Sequence, residues 1–246
     1  SARGYKEMTE FTFTVSGTDV FPGGVARPAA LARYMQLVAG EDSAANGAGY
    51  PEMRAHDCVF VLSKLAMHFH CPIRSGDTVT LRTFNNRING IYFEREFEFF
   101  RGGSEVAHAT TLWALISYSA RVPLRPRTLF AAIPEEKRPT ATLDVPHSVD
   151  TKGVFPCGER VARLSDLDEN DHINNCVYFD IAVDSTDFDG KTEAITDFHM
   201  LYRREARRGD VIKLSALHSA EGYTVSGTNE TAGTPCFDAF FAVKKL

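Results

Sequence analysis

The chain has 246 residues, 43% hydrophobic and 24% charged, with a formal net charge of −5. That is the balance of a globular protein with room for one large domain or two of roughly 100 to 150 residues, neither disordered nor fibrous. An acidic chain of this kind is no dedicated nucleic-acid binder, which needs a basic footprint to displace counterions from phosphates.

Residues 1–10 are polar and read as a frayed start. Phe11, Phe13 and Val15 then alternate with Thr12 and Thr14, the period of a half-buried strand, which Gly17, Pro22, Gly23 and Gly24 end. From Pro28 to Ala45, Leu31, Tyr34, Met35, Leu37 and Val38 recur at helical spacing, and Pro28 suits a first turn, so a long and largely buried helix is expected. Four strand-like runs follow at 59–71, 77–87, 91–101 and 105–118, separated by turn signals that include Gly76, Asn89-Gly90 and Gly102-Gly103. In the third run Phe93, Phe97 and Phe99 alternate with Glu94, Glu96 and Glu98, which predicts one buried face and one wet face. Strand, long helix and antiparallel meander together fit a curved sheet wrapped around a central helix.

Prolines at 123, 126, 134, 139, 146 and 156 mark a linker, placed at residues 131–156. The pattern then restarts: a strand near 159–164, a polar turn, a helix near 174–184, and strands near 193–204, 211–219, 223–228 and 237–243. Arg74, Gly76, Asp77, Val79 and Leu81 recur at constant spacing as Arg207, Gly209, Asp210, Ile212 and Leu214. The same order of elements around both sets indicates a duplicated domain rather than a common hairpin turn. The expectation is an α+β protein of two units, residues 1–130 and 157–246.

The repeats differ at the junction of strand and helix. The first offers Phe21, Pro22, Gly23, Gly24, Val25 and Ala26, with no ionisable group, whereas the second offers Asp168, Asn170 and His172. A turn rich in Asp and Asn can be only a cap. His172 tips the reading toward chemistry, because an imidazole adds little to capping and titrates near neutrality. A helix start also supplies unpaired N–H groups and a partial positive charge.

Other constellations are weaker. His68 and His70 share a strand face at the spacing of two metal ligands, but no third ligand is evident, and no metal is assigned. Cys176 reads as a packing residue at the helix start. The five cysteines are odd in number, scattered and without a C-x-x-C pair, so they read as reduced thiols. With no apolar run near the ~18 to 20 residues of a membrane span and no secretory signal pattern, a cytoplasmic location is expected.

Asp168-x-Asn170-x-His172-x-Asn174-Asn175 followed by Tyr178, then Leu201-Tyr202-Arg203-Arg204-Glu205, resembles the acyl-ACP thioesterases. The stretch 72–81, Arg95, Ala109, Trp113 and the run 133–136 also match that family's pattern. The resemblance spans nearly the whole chain and implies a tandem hotdog fold, two antiparallel sheets each wrapped around a long helix. It implies hydrolysis of fatty acyl-ACP without a cofactor, with Asp168, Asn170, His172 and Glu205 as the catalytic set and acyl carrier protein as partner. The family often carries a Cys directly after the Glu; here that position is Ala206, so a cysteine nucleophile there is ruled out.

The residues themselves fit that chemistry. His172 or Glu205 could take a proton from water, Asn170 could orient the nucleophile, and N–H groups near Asn174 and Asn175 could hold the oxyanion. Asp168 either holds His172 in its useful tautomer or attacks the thioester itself. Met35, Val61, Leu65, Met67 and Trp113 are expected to line an acyl tunnel in the first half. Two arginine-rich surfaces, one with Arg121, Arg125 and Arg127 and one with Arg203, Arg204, Arg207 and Arg208, are candidates for docking the acidic carrier. Acyl-CoA hydrolysis, a hotdog hydratase and a non-catalytic acyl-binding module are the rival readings. Either a monomer or a homodimer is compatible, since two hotdog units in one chain can form the pseudo-dimer internally.

Overall fold

The computed structural model describes residues 9–125 and 143–246. The start at 1–8, Arg127, the run 133–136 and residues 131–142 of the predicted linker lie outside them. In the first half the elements are β1 (Thr9–Thr14), α1 (Pro28–Ala45), α2 (Tyr50–Ala55), β2 (Cys58–Phe69), β3 (Thr78–Asn89), β4 (Tyr92–Arg101) and β5 (Ser104–Ser117). The second half has β6 (Phe155–Val161), one turn of 3₁₀ helix (Leu164–Asp166), α3 (Val177–Asp184), β7 (Glu193–Tyr202), β8 (Val211–Ser219), β9 (Gly222–Asn229) and β10 (Thr234–Lys245).

Each half forms a five-stranded antiparallel sheet in matching order, β1-β3-β4-β5-β2 and β6-β8-β9-β10-β7. The sheets meet edge to edge through β2 and β7, in register from Lys64 opposite Leu201 to His68 opposite Asp197, so ten strands run continuously. This is the tandem hotdog architecture. Helix α1 buries Leu31, Met35 and Val38 among the apolar side chains of the inner face, including Leu65, Leu81 and Phe97. Helix α3 sets Phe179 against Phe198, ring centroids 4.7 Å apart. No helix among the described residues is long and apolar enough to cross a membrane.

The repeated turns match in detail. Asp77 and Asp210 each accept the backbone N–H of the arginine three residues earlier, at 2.8 and 2.9 Å. Gly76 and Gly209 sit at φ 86° and 87°, a conformation that glycine adopts without a Cβ penalty. The bridge of Val20 to Ala26 recurs as Leu167 to Ile173. Ala26 donates to the Ile73 carbonyl and Ile173 to the Ala206 carbonyl. The loop 21–25 and the polar turn 168–172 therefore hold equivalent places in the two halves.

Three local expectations are revised. The second helix is short and starts at Val177, because Asn174 Oδ1 accepts the Cys176 N–H and Val177 closes a turn on the Asn174 carbonyl. Helix α2 was not foreseen; at six residues it is too short for a periodic signal. The glutamate face of β4 is not wet: Glu94, Glu96 and Glu98 are 2%, 0% and 7% exposed. Their charges are met across the sheet instead, Glu94 by Arg87 and Glu96 by His108 and Thr110. Backbone of the predicted linker also lies on this face, where the Leu143 N–H donates to Thr110.

His108 sits between Glu96 at 2.8 Å and Glu105 at 2.9 Å. Burial opposes its charge, but the two carboxylates outweigh burial and raise the imidazole pKa. A raised folded-state pKa contributes stability that is complete below the unfolded value of about 6.5 and is lost as pH rises through the folded value. Urea unfolding of the parent therefore shows a falling stability on that alkaline side. His108→Gln flattens the fall, and an equal fall in both proteins would disprove the coupling.

Candidate active site

The polar turn is held by its own backbone. The Asp168 N–H donates to the His172 carbonyl at 2.9 Å, and Asp171, at φ 61°, donates back to the Asp168 carbonyl at 3.1 Å. Asp168 Oδ1 accepts the Asn170 N–H at 2.8 Å, an Asx turn that fixes the carboxylate at the surface of the loop. Ile173 and Asn174 then anchor the far end on the carbonyls of Ala206 and Asp166.

The Ala206 anchor also delivers Glu205. Its Oε1 lies 3.1 Å from His172 Nε2, so Glu205 is the carboxylate on the imidazole, while Asp168 is engaged with the Asn170 N–H. Arg207, at 3.3 Å, and Arg121, at 3.8 Å, flank Glu205. A carboxylate beside Nε2 favours the tautomer protonated on that nitrogen, in which Nδ1 can act as a base.

From the first half comes Tyr50 of α2. Its hydroxyl donates to Asn170 Oδ1 at 2.8 Å and accepts from Arg54 at 3.1 Å. Arg54 is in turn stacked over Tyr118, 3.1 Å from the ring centroid. With Oδ1 occupied, the Asn170 carboxamide presents its Nδ2 donors to whatever enters the site. Tyr202, on β7, donates to the Asn175 carbonyl at 3.0 Å and fixes the far side of the turn. Sequence reasoning missed Tyr50, which lies in a helix that gave no signal.

The turn separates two spaces. Inside is a cavity of about 360 Å³ between α1 and strands β3 to β5, with Gln36, Ser43, Arg95 and Trp113 in its wall. Outside is a groove of about 840 Å³ bordered by Arg121, Arg203, Arg204 and Arg207. Asp168, Asn170 and Asn175 face both spaces, Asn174 faces the cavity, and His172 and Glu205 face the groove. A molecule lying in both would pass its middle across the carboxylate, carboxamide and imidazole.

The expected lining residues are spread over this arrangement. Trp113 lines the cavity and, with Met35 and Leu65, a void of about 10 Å³ beneath it. Val61 is 40% exposed and lies on the groove. Met67 is buried opposite Phe198 at the seam of the two sheets. Arg203 pairs with Asp238, Arg207 with Glu205, and Arg208 is exposed outside the groove. Cys176 is buried and burial pushes its thiol up to about 12, so it is no nucleophile. His68 is engaged with Asp197 across the seam at 2.6 Å.

The equivalent place in the first half is closed. Gly23 donates to the Gly190 carbonyl at 2.9 Å, and a Cβ on Gly23 would lie 2.4 Å from that oxygen. A Cβ on Gly190 would meet Phe21 at 2.8 Å. Two glycines thus let the backbones touch, whereas at the other place the Tyr50 side chain bridges to Asn170 beside a cavity.

Fold and site define a double-hotdog protein whose second half sets His172 and Glu205 beside a polar turn that meets the first half at Tyr50. Comparison with known proteins gives the same class. Residues 5–128 match the acyl-ACP thioesterase N-terminal domain and residues 158–234 the acyl-ACP thioesterase C-terminal domain. The chain belongs to the acyl-ACP thioesterase family.

It is 26% identical over 195 residues to a chloroplastic acyl-[acyl-carrier-protein] hydrolase of Cuphea viscosissima, covering 70% of this chain and 45% of that protein. A chloroplastic palmitoyl-acyl carrier protein thioesterase of Cuphea hookeriana is 25% identical over 193 residues, with 70% and 44% covered. The chain therefore spans less than half the length of these relatives. Among solved structures, an acyl-ACP thioesterase from Bacteroides thetaiotaomicron superposes with a TM-score of 0.85 at 20% identity, over 96% of this chain and 98% of that one. The 12:0-ACP thioesterase from Umbellularia californica gives 0.82 at 18% identity over the whole of both chains.

Proposed function

We propose that this protein hydrolyses fatty acyl-ACP thioesters, releasing free fatty acid and the carrier's thiol. The observation that supports this most strongly is Glu205 set on Nε2 of His172 at the meeting of an inner cavity and an arginine-lined groove. The acyl chain occupies the cavity, the pantetheine arm follows the groove, and the thioester carbon lies between them at Asp168 and Asn170.

His172 Nδ1 takes a proton from water, and the resulting hydroxide attacks the thioester carbon. Glu205 holds the imidazole and stabilises the charge it gains. Asn170 Nδ2 donates to the carbonyl oxygen as it becomes an oxyanion. Asp168, at the mouth of both spaces, orients the water. Collapse of the tetrahedral centre breaks the C–S bond, and the proton on His172 passes to the departing thiolate. Family membership and unpaired cysteines, all five of them free, support fatty-acid metabolism in a reducing compartment, the cytoplasm.

The partner reading rests on charge. Arg121, Arg203, Arg204 and Arg207 gather on one groove of a chain whose net charge is −5. An acidic carrier protein is steered to such a patch, and the steering weakens with salt.

Supplied with acyl-ACPs, the parent releases free fatty acid. Asp168→Asn and Glu205→Ala each lower kcat by at least about tenfold, and His172→Ala by about 10²- to 10⁴-fold, with thermal melting unchanged. Undiminished release by His172→Ala would refute the assignment. Charge reversal at Arg204, on the same groove, raises KM for acyl-ACP and spares a small acyl-thioester; equal effects on both substrates would sink the docking role.

A further inference from the structure

The inner cavity is more polar than an alkyl chain requires. Its wall includes Gln36, Ser43, Asn85 and Arg95 beside Phe93 and Trp113. Arg95 is the decisive group, because its side chain is only 7% exposed and stands on the same face of β4 as Phe93 and Phe97. Its Nη1 donates to Asp42 at 2.7 Å and to Thr83 at 3.1 Å, while its Nη2 reaches Ser43 at a long 3.5 Å.

Asp42 and Thr83 lie behind the wall; Ser43 is part of it. The Nη2 edge is therefore the one turned to the cavity. A guanidinium has five N–H donors, and these three bonds leave two unused. Asp42 itself is 2% exposed and also accepts from Thr9 at 2.9 Å, so the pair is neutral as a unit. It offers donors without offering net charge, which suits a neutral oxygen better than a carboxylate.

We infer that the cavity is built for an acyl chain bearing an uncharged oxygen, a hydroxyl or a ketone, which accepts from the Nη2 edge of Arg95. The inference rests on the reading of this cavity as the acyl site and names the chemical class of chain it selects. A purely alkyl chain strips water from these donors and returns no hydrogen bond, whereas an oxygenated chain replaces the water it displaces. Sites built to bond a substrate hydroxyl discriminate strongly against the analogue that lacks it.

Trp113, the single tryptophan of the chain, lines the same cavity, so its fluorescence reads occupancy without turnover. Decanoyl is the test length, long enough to carry a hydroxyl at several positions. The probes are methyl decanoate and a set of methyl hydroxydecanoates that differ in hydroxyl position. The parent binds the best hydroxylated ester about tenfold more tightly than methyl decanoate. In the double variant Arg95→Met/Asp42→Leu that ratio falls to about one. Should the double variant fail to fold, Ser43→Val leaves the ion pair intact, covers Nη2 with a methyl group and lowers the ratio at least threefold.

The inference is overturned if methyl decanoate binds as tightly as every hydroxylated ester, if no ester changes the fluorescence, or if the preference survives in the folded variant. Binding preference without any acyl-ACP hydrolysis would reject the hydrolase reading and leave this one standing. Hydrolysis without the preference would do the reverse.

Discussion

Everything at the site depends on the pairing of β2 with β7. This ladder is short, from Lys64 opposite Leu201 to His68 opposite Asp197, yet it turns two five-stranded sheets into one and fixes how the halves face each other. Its inner face buries Leu65 and Met67 beside Met200 and Phe198, and its outer face ties His68 to Asp197 at 2.6 Å. Because the halves cannot slide, helices α1 and α2 of the first are set against the polar turn of the second. Slipping a strand by one residue would exchange its buried and exposed faces, so the register of this seam is strongly specified.

Duplication supplies two such meeting places, and only one is open. In the open one, Asp168, Asn170 and His172 stand where the other half has Phe21, Gly23 and Val25. In the closed one, Gly23 and Gly190 allow direct contact of two backbones. The difference is physical as well as chemical: small residues fill one place with main chain, while a tyrosine bridging to an asparagine holds a space open at the other. The first half furnishes most of the cavity wall together with Tyr50, and the second furnishes Asp168, Asn170, His172 and Glu205.

Much of this could be read in the sequence, for reasons that vary with range. The span of α1 follows from Pro28 and the periodic apolar residues up to Ala45, both local properties of the chain. The repeated R-x-G-D turn is also local, and its glycine conformation and aspartate bonds recur in both halves. The acidic face of β4 was misread because alternation reports only that two faces differ. Whether carboxylates meet water or partners such as Arg87 and His108 is decided by neighbouring strands. Tyr50 and Asp42, the partner of Arg95, were not legible because the residues they bond lie far away in the chain. Glu205 became legible only through its family resemblance, since a glutamate among arginines has the look of a surface ion pair.

The site is assembled across the two halves, with Tyr50 of the first hydrogen-bonded to Asn170 of the second. A double-mutant cycle on kcat for acyl-ACP hydrolysis, using Tyr50→Phe, Asn170→Ala and the combination, measures that coupling directly. If Tyr50 acts by orienting the Asn170 carboxamide, removing its hydroxyl costs activity in the parent and nothing further once Asn170 is alanine. Effects that simply multiply would contradict the account, because the two residues would then be serving the reaction independently.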